Sequence, residues 1–401
     1  MQRAALLIHL AFLQAHGIIN TEERGGSGMG LPEDVADLIA EIERAGFLCY
    51  AVGGCVRDLL RGVEPTDFDL CTSALPQQLL PLFPENTVIP SGIAHGTVTV
   101  LWRQKSCEIT TFRSDGTYLD SRHPQSVTFV PTLGQDLARR DFTVNAMALH
   151  PEKGLIDPYG GKADLKNGVL RCVGVPQKRF AEDALRILRG IRFCAALSLV
   201  PQAQTRDALF SEKERLRAVS AERCAAELCK TLCAPAGIAI LPEYLPIFRV
   251  RYPQMEAPAA WKGQPSLACA LALCFPHGLP PYAVLPLPKR LLRKAEALCA
   301  IHAAVFRGEA DAAQLCYRFG EETVKEALAP CTSPAAQTTL HALFSLLCPS
   351  RAQLALSARE LLAMGLRGAE IGQALQAAYL AVNRGLVKNT PSSLRDFCQK
   401  H

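Results

Sequence analysis

Hydrophobic periodicity changes character near Lys162, and no other feature of the chain constrains its fold as strongly. Up to about His150 the runs Phe68–Cys71, Gly96–Trp102, Cys107–Phe112 and Ser126–Val130 are rich in β-formers and bounded by Gly, Pro and Asp. That pattern predicts short strands mixed with helices. Beyond Lys162 the 3.6-residue period dominates, Ala and Leu are abundant, and β-branched alternation is scarce, which predicts helices to the end of the chain. Pro-rich joints around Pro235–Pro246, Pro276–Pro288 and Ser333–Pro349 divide the helical part. At 401 residues the chain exceeds one ordinary domain, and 49% hydrophobic with 20% charged residues supplies sizeable cores. The expected class is α+β: a mixed α/β head followed by all-α segments.

The chemistry concentrates in the head. Tyr50–Val52 reads as a strand end, Gly53-Gly54 as a tight turn, and Cys55–Arg61 as a short helix closed by Gly62. Such a turn aims backbone N–H groups at an anion, which suits a triphosphate, and Arg57 one turn in is placed to clamp it. Taken alone, a Gly-Gly turn before a helix is usually only a turn. Asp67-Phe68-Asp69 follows closely. On a strand, residues i and i+2 share a face, so both carboxylates point one way while Phe68 enters the core. Two such charges repel unless a cation joins them, and hard oxygen ligands suit Mg²⁺ on a nucleotide's phosphates.

With these elements the sequence resembles the polymerase-β-like nucleotidyltransferases, and more closely the bacterial-type tRNA nucleotidyltransferase and poly(A) polymerase family. The resemblance continues through Arg139-Arg140-Asp141-Phe142-Thr143-Val144-Asn145-Ala146, Asp157-Pro158-Tyr159-Gly160-Gly161-Lys162-Ala163-Asp164-Leu165 and Arg179-Phe180-Ala181-Glu182-Asp183-Ala184-Leu185-Arg186. It implies a nucleotidyltransferase head over 29–150, a helical neck over 151–234, a body over 235–330 and a tail over 331–401. It also implies that Asp67 and Asp69 hold a two-ion Mg²⁺ site, with Mn²⁺ as the alternative ion. Glu108, in Cys107-Glu108-Ile109-Thr110, is the candidate third carboxylate, or else an ordinary solvated residue of a strand face. Gly53, Gly54, Arg57, Arg139, Arg140, Asp141 and Asn145 become nucleotide-positioning residues. Asp141 is placed to accept from a ribose 2′-hydroxyl, although Arg139 or Arg140 pairing with Asp136 or Asp141 is an equally ordinary use of those charges.

By the same resemblance, Glu182-Asp183-Ala184-Leu185-Arg186 opens a helix running to about Leu197 that serves as a protein template for CTP and ATP. Ala184, Ile187, Leu188, Ile191 and Ala195 form its buried stripe. Cytosine and adenine each present an exocyclic amine beside a ring-nitrogen acceptor, whereas uracil and guanine present a carbonyl beside an N–H. A carboxylate with a guanidinium fits the first pair and leaves polar groups unmatched against the second. Asp183 and Arg186 are the expected readers, Glu182 supports the arginine, and Arg189 faces phosphate or forms a salt bridge. The implied substrates are the tRNA 3′ end, CTP and ATP. Candidate RNA contacts are Lys289, Arg290, Arg293 and Lys294 on one helix face, and Arg367 in a tail segment expected at the tRNA elbow. The rival readings are an enzyme restricted to A or to CC addition, a poly(A) polymerase, or an RNA-binding protein with an inactive head. The loop Arg113–Pro124 looks intact, which argues against a CC-only enzyme.

A net charge of +5 is mild and permits an RNA partner only if the positive charge is clustered. The 16 cysteines show no CxxC spacing and fall mostly in apolar runs, as buried thiols of a cytoplasmic protein do. No membrane span and no protein partner are expected. The apolar run Ala4–Leu13 resembles a signal peptide, but His9 interrupts it and no convincing cleavage site follows. Residues 1–28 therefore read as an extension translated ahead of the true start at Met29. Mass spectrometry of the native protein is expected to find Met29 at the N-terminus; a chain beginning at Met1 would overturn that start.

Overall fold

Val35, Leu38, Ile39 and Ile42 recur at helical spacing and are all buried, and they make Glu33–Arg44 the first helix, α1. Glu33 and Asp34 at its start and Arg44 at its end complement the helix dipole. The computed structural model describes residues 30–84, 87–89, 92–103, 105–115, 127–258, 261–309, 311–348 and 350–400. The expected start at Met29 and most of the loop after Asp115 lie outside the described residues.

The chain divides into two units, one ending at Ser220 and one beginning at Ala221. The first is built on β1 (Cys49–Val52), α2 (Gly54–Leu60), β2 (Phe68–Thr72), β3 (Val88–Ile89), β4 (Thr97–Trp102), β5 (Lys105–Thr111), β6 (Arg113–Asp115), β7 (Val127–Phe129), α3 (Leu133–Ala138), β8 (Ala148–His150) and β9 (Gly154–Ile156). Seven of the strands form one sheet in the order β3-β4-β5-β2-β1-β8-β9. All neighbours in it are antiparallel except β2 and β5, which run parallel with Phe68 opposite Cys107 and Asp69 opposite Glu108. β6 and β7 pair separately as a hairpin.

Alternation along the strands feeds two cores. Cys49, Ala51, Phe68, Leu70, Val98, Val100, Cys107 and Ile109 pack with α1 on one face. Tyr50, Val52, Cys71 and Ala148 pack with Phe112 and with Leu137 of α3 on the other. Asp69 lies on this second face, where the cover is incomplete, and it is exposed between buried neighbours.

After the sheet come α4 (Gly161–Lys166), β10 (Val169–Leu170), α5 (Pro176–Glu182), α6 (Leu185–Leu197) and β11 (Val200–Pro201). The short parallel pair β10–β11 is a departure from the helices expected beyond Lys162. The stripe Ala184, Ile187, Leu188, Ile191 and Ala195 is buried. The expected helix start at Glu182 is corrected: α5 ends there, Asp183 is extended at φ −143° and ψ 105°, and α6 starts afresh at Leu185.

In the second unit, α7 (Ala221–Leu232), α8 (Leu241–Phe248), α9 (Leu267–Cys274), α10 (Lys289–Phe306), α11 (Pro334–Leu343) and α12 (Ala369–Asn383) carry much of the mass. Two of the expected joints contain helices. Pro242 and Pro246 lie within α8, and Pro334 opens α11 with the Ser333 hydroxyl accepting from Ala336 N. Proline costs nothing at the first turn, where its missing N–H would have no partner, so Pro334 starts a helix rather than marking a gap. Pro276–Pro288 does separate α9 from α10. Among the described residues no helix is long and apolar enough to cross a membrane.

The motif Asp157–Leu165 has a structural explanation. Asp157 accepts from Gly161 N at 2.7 Å and Lys162 N at 2.9 Å, which starts α4. Asp164 then accepts from the Thr143 hydroxyl at 2.7 Å and pins α4 to the turn carrying Asn145. A Cβ on Gly161 would lie 2.2 Å from the Thr143 carbonyl oxygen. Gly161→Ala is therefore expected to lower stability by about 1–3 kcal/mol in urea unfolding, because backbone must shift to admit one methyl group.

Candidate active site

β2 delivers the acidic part of the site. Phe68 is buried and anchors the strand, while the Asp69 side chain emerges on the open face beside Glu108 of β5, both exposed. Asp67 lies in the bend one residue ahead of β2 rather than on it. Desolvation raises the Asp69 carboxyl above its ordinary range; Glu108 and Asp67 add like-charge repulsion, and Arg140 opposes them. Among the described residues none of the three carboxylates is in an ion pair. No three His, Cys, Asp or Glu side chains among those residues could hold a metal by themselves. Mg²⁺ is commonly held by one or two carboxylates together with substrate phosphates and water, and a repelling pair or triad open to solvent fits that requirement.

The turn into α2 lies beside these carboxylates. Gly53 adopts φ +76°, which favours glycine, and a Cβ there would displace Arg140 Nη1, 2.9 Å away. Arg57 does not stand free as the expected clamp. Its Nε and Nη2 donate to Asp58 at 3.0 and 2.9 Å, and Nη1 donates to Asn145 Oδ1 at 2.7 Å. Asn145 Nδ2 in turn donates to Asp141 Oδ1 at 3.3 Å, and Asp141 Oδ2 accepts from Arg189 Nε at 2.8 Å. The buried ring of Phe193 underlies the run, with the Arg57, Arg189 and Arg192 guanidinium carbons 5.6, 5.5 and 4.3 Å from its centroid.

Arg139 and Arg140 both pair with Asp136, which is fully buried. Of the two pairings open for these arginines, the structure has the one to Asp136. Arg186 is buried too. Its Nη1 donates to Glu182 Oε2 at 2.7 Å and to the Arg179 carbonyl at 3.2 Å, and its Nη2 donates to the Arg139 carbonyl at 2.9 Å. Arg179 Nη1 shares Glu182 Oε2 at 2.8 Å. Asp183 Oδ1 accepts from Leu185 N at 3.0 Å and starts α6. A cavity of about 300 Å³ opens beside this cluster, lined by Ser114, Val130, Gln135, Arg139, Arg179 and Glu182.

Residues 49–171 match the Poly A polymerase head domain. The CCA-adding enzyme of Geobacillus stearothermophilus is 39% identical over 238 residues, which cover 57% of this chain and 58% of the relative. That of Geobacillus thermodenitrificans is 38% identical over 284 residues, 67% of this chain and 70% of the relative. The chain belongs to the CCA-adding enzyme family. The crystal structure of the Bacillus stearothermophilus CCA-adding enzyme in complex with CTP superposes with a TM-score of 0.73 at 28% identity, covering 92% of this chain and 96% of that one. In sequence, the chain spans about half the length of the first curated relatives it matches, between 48% and 58%.

Sequence reasoning passed over Asp58, Arg179 and Phe193, and weighed Asp136 only as one partner among several. Asp136 lies in the last turn of a helix and precedes Arg139 and Arg140 by three and four residues, the spacing of a facing pair, and that was the available signal. Asp58 and Arg57 are chain neighbours, a spacing that carries no such signal. Lys289, Arg290, Arg293 and Lys294 are all exposed at the start of α10, with Lys294 paired to Glu326 at 2.8 Å. Arg367 is exposed in a turn closed by Glu370, which accepts from Arg367 N at 2.9 Å.

Burial opposes ionisation of Asp141, but the charge and hydrogen bond of Arg189, the Asn145 amide and the Arg186 charge outweigh it and hold the carboxyl at about 2. An unfolded Asp titrates at about 3.9, so this group stabilises the fold fully above about pH 4 and loses that contribution as pH falls through its folded value. Asp141→Asn is expected to unfold at lower urea than wild type near neutral pH. The gap should narrow between about pH 4 and pH 2, and a gap independent of pH would refute the assignment.

Proposed function

We propose that this protein adds C, C and A to the 3′ end of tRNA, taking nucleotides from CTP and ATP and releasing pyrophosphate. The observation that carries the reading is the parallel register of β2 on β5, which sets Asp69 opposite Glu108 with Asp67 alongside. Asp67 and Asp69 hold Mg²⁺ or Mn²⁺ in this proposal, and Glu108 is the third carboxylate. Such ions activate the attacking 3′-hydroxyl and stabilise the triphosphate and its leaving group. Gly53 and Gly54 receive the phosphates, while Arg57, Arg140 and Arg189 surround them with positive charge fixed in advance. Asp141 and Asn145 set the register of those arginines, and Asp141 lies where a ribose 2′-hydroxyl would be recognised.

Arg186, held by Glu182 and the Arg139 carbonyl, reads the base with Asp183. A guanidinium already bonded on two sides cannot swing to suit uracil or guanine, so a mismatched base leaves buried polar groups unpaired. The proposed division is a head over 29–150, neck over 151–234, body over 235–330 and tail over 331–401. Lys289, Arg290, Arg293 and Lys294 crowd the start of α10, where the helix dipole disfavours cations, and phosphate contact accounts for charge kept there at a cost. Arg367 and its turn meet the tRNA elbow in the same proposal. None of the 16 cysteines forms a disulfide, which suits the cytoplasm.

The test supplies purified protein and Mg²⁺ with tRNA transcripts ending before CCA, after C and after CC, each with labelled CTP, ATP, UTP or GTP. Completion of all three to CCA followed by arrest is expected. Extension of the CC-ended transcript alone by one A would instead identify an A-adding enzyme, and a long A tail a poly(A) polymerase. Asp67→Ala and Asp69→Ala are each expected to lower turnover by more than about a hundredfold while leaving the fold intact. Wild-type protein that binds tRNA and incorporates nothing would overturn the reading.

A further inference from the structure

Asp136 is a buried carboxylate bonded to three other residues, and the chemistry proposed above gives it no direct part. It lies on α3 with its side chain fully enclosed. Oδ1 accepts from Arg139 Nε at 3.0 Å, Arg139 Nη2 at 2.8 Å and the backbone N of Arg113 at 3.3 Å. Oδ2 accepts from Arg140 Nη2 at 3.1 Å. Burial opposes its ionisation, but the two guanidinium charges hold its carboxyl below the usual range.

Each bond leads to a different part of the site. Arg113 begins β6, the first strand of the β6–β7 hairpin, and its side chain also reaches the His95 carbonyl. Arg140 packs over the Gly53 turn and reaches the Asn145 carbonyl at 3.4 Å. Arg139 is the C-cap of α3 at φ −82° and ψ −11°. The last carbonyls of a helix have no partner within it and carry partial negative charge. Here the Arg139 carbonyl gives that charge to Arg186 Nη2 at 2.9 Å. The direction of the carbonyl depends on the last turn of α3, and the Asp136–Arg139 fork ties that turn together.

We propose that Asp136 is a positioning residue for base selection: by fixing the last turn of α3 it aims the Arg139 carbonyl that holds Arg186. The proposal rests on the reading of Arg186 as a base-reading residue. Glu182 and the Arg179 carbonyl restrain Arg186 Nη1 from the other side, so loss of Asp136 slackens the hold on Nη2 and lets the guanidinium swing further than it does in the wild type. Swinging costs affinity for the matched base and relieves the penalty against a mismatched one. The ratio between nucleotides therefore falls, whereas a general loss of stability scales all nucleotides alike.

The experiment is calorimetric titration of CTP and UTP, with Mg²⁺, into full-length wild type, Asp136→Asn and Asp136→Glu, alongside thermal melts of each. Asp136→Asn is expected to lower the CTP-over-UTP affinity ratio by about tenfold, beyond any change in melting temperature. Asp136→Glu keeps the charge but displaces it by one methylene, and it is expected to lower the ratio to a smaller extent. Should Asp136→Asn fail to fold, Asp136→Glu carries the test alone. A folded variant with the wild-type ratio, to within about twofold, overturns the proposal and leaves the base-reading assignment standing. Wild type that fails to distinguish CTP from UTP overturns that assignment and the proposal together.

Discussion

Repulsion among Asp67, Asp69 and Glu108 is the constraint around which the first unit is arranged. A parallel β2–β5 pair in an otherwise antiparallel sheet sets two acidic side chains directly opposite one another, an arrangement that destabilises a sheet when both are charged. The protein bears that cost through its interior. Phe68, Leu70, Cys107 and Ile109 of the same two strands are fully or nearly fully buried. Burial of side chains this size is worth about 1.5–3 kcal/mol each, well above the cross-strand penalty of about 1 kcal/mol or less. The strands thus stay in register despite their carboxylates, and the charge conflict remains on the open face, where a divalent cation would resolve it.

Six arginines around that face follow a second rule: each is paired with an acid, its own or a shared one. Arg57 has Asp58, Arg139 and Arg140 share Asp136, Arg179 and Arg186 share Glu182, and Arg189 has Asp141. These pairs are poor evidence for stability, since desolvation offsets much of their attraction. They do fix direction. A guanidinium already bonded on one edge offers its remaining donors along a set line, so little reorganisation is left for the reaction. The Phe193 ring adds to this by setting the planes of Arg57, Arg189 and Arg192 without competing for their hydrogen bonds.

Much of this was legible in the sequence because period-two and 3.6-residue patterns survive folding. Phe68 in the core with Asp69 exposed beside it follows from alternation alone, and the buried stripe of α6 follows from helical spacing. The Asp183 break was not legible. Nothing between Arg179 and Arg186 is a helix breaker, and the hydrophobic stripe runs on unchanged. The interruption comes from tertiary demand: the Asp183 side chain leaves the helical path to accept from Leu185 N, while Arg186 turns inward to Glu182 and Arg139. Helix propensity, a few tenths of a kcal/mol per residue, is easily overridden by charge-assisted bonds of about 1.5–3 kcal/mol. The pairing of each arginine was equally hidden, because several acids lie within reach of each in sequence and only the fold selects one.

The last helices of the second unit illustrate the same limit from the other direction. Nothing in the neighbouring sequence marks Asn383 and Asn389, yet each replaces a stretch of backbone. Asn383 accepts from Cys348 N at 2.8 Å and donates to the Cys348 carbonyl at 3.0 Å. Asn389 accepts from Ala355 N at 2.8 Å and donates to the Gln353 carbonyl at 2.8 Å. One amide presents the same donor and acceptor as a neighbouring strand residue, so it can satisfy a loop that pairs with nothing else. An Asp in either place would keep the acceptor and lose the donor, leaving a carbonyl without its bond and bringing a charge against it. The two asparagines are therefore fixed by the backbone they bridge.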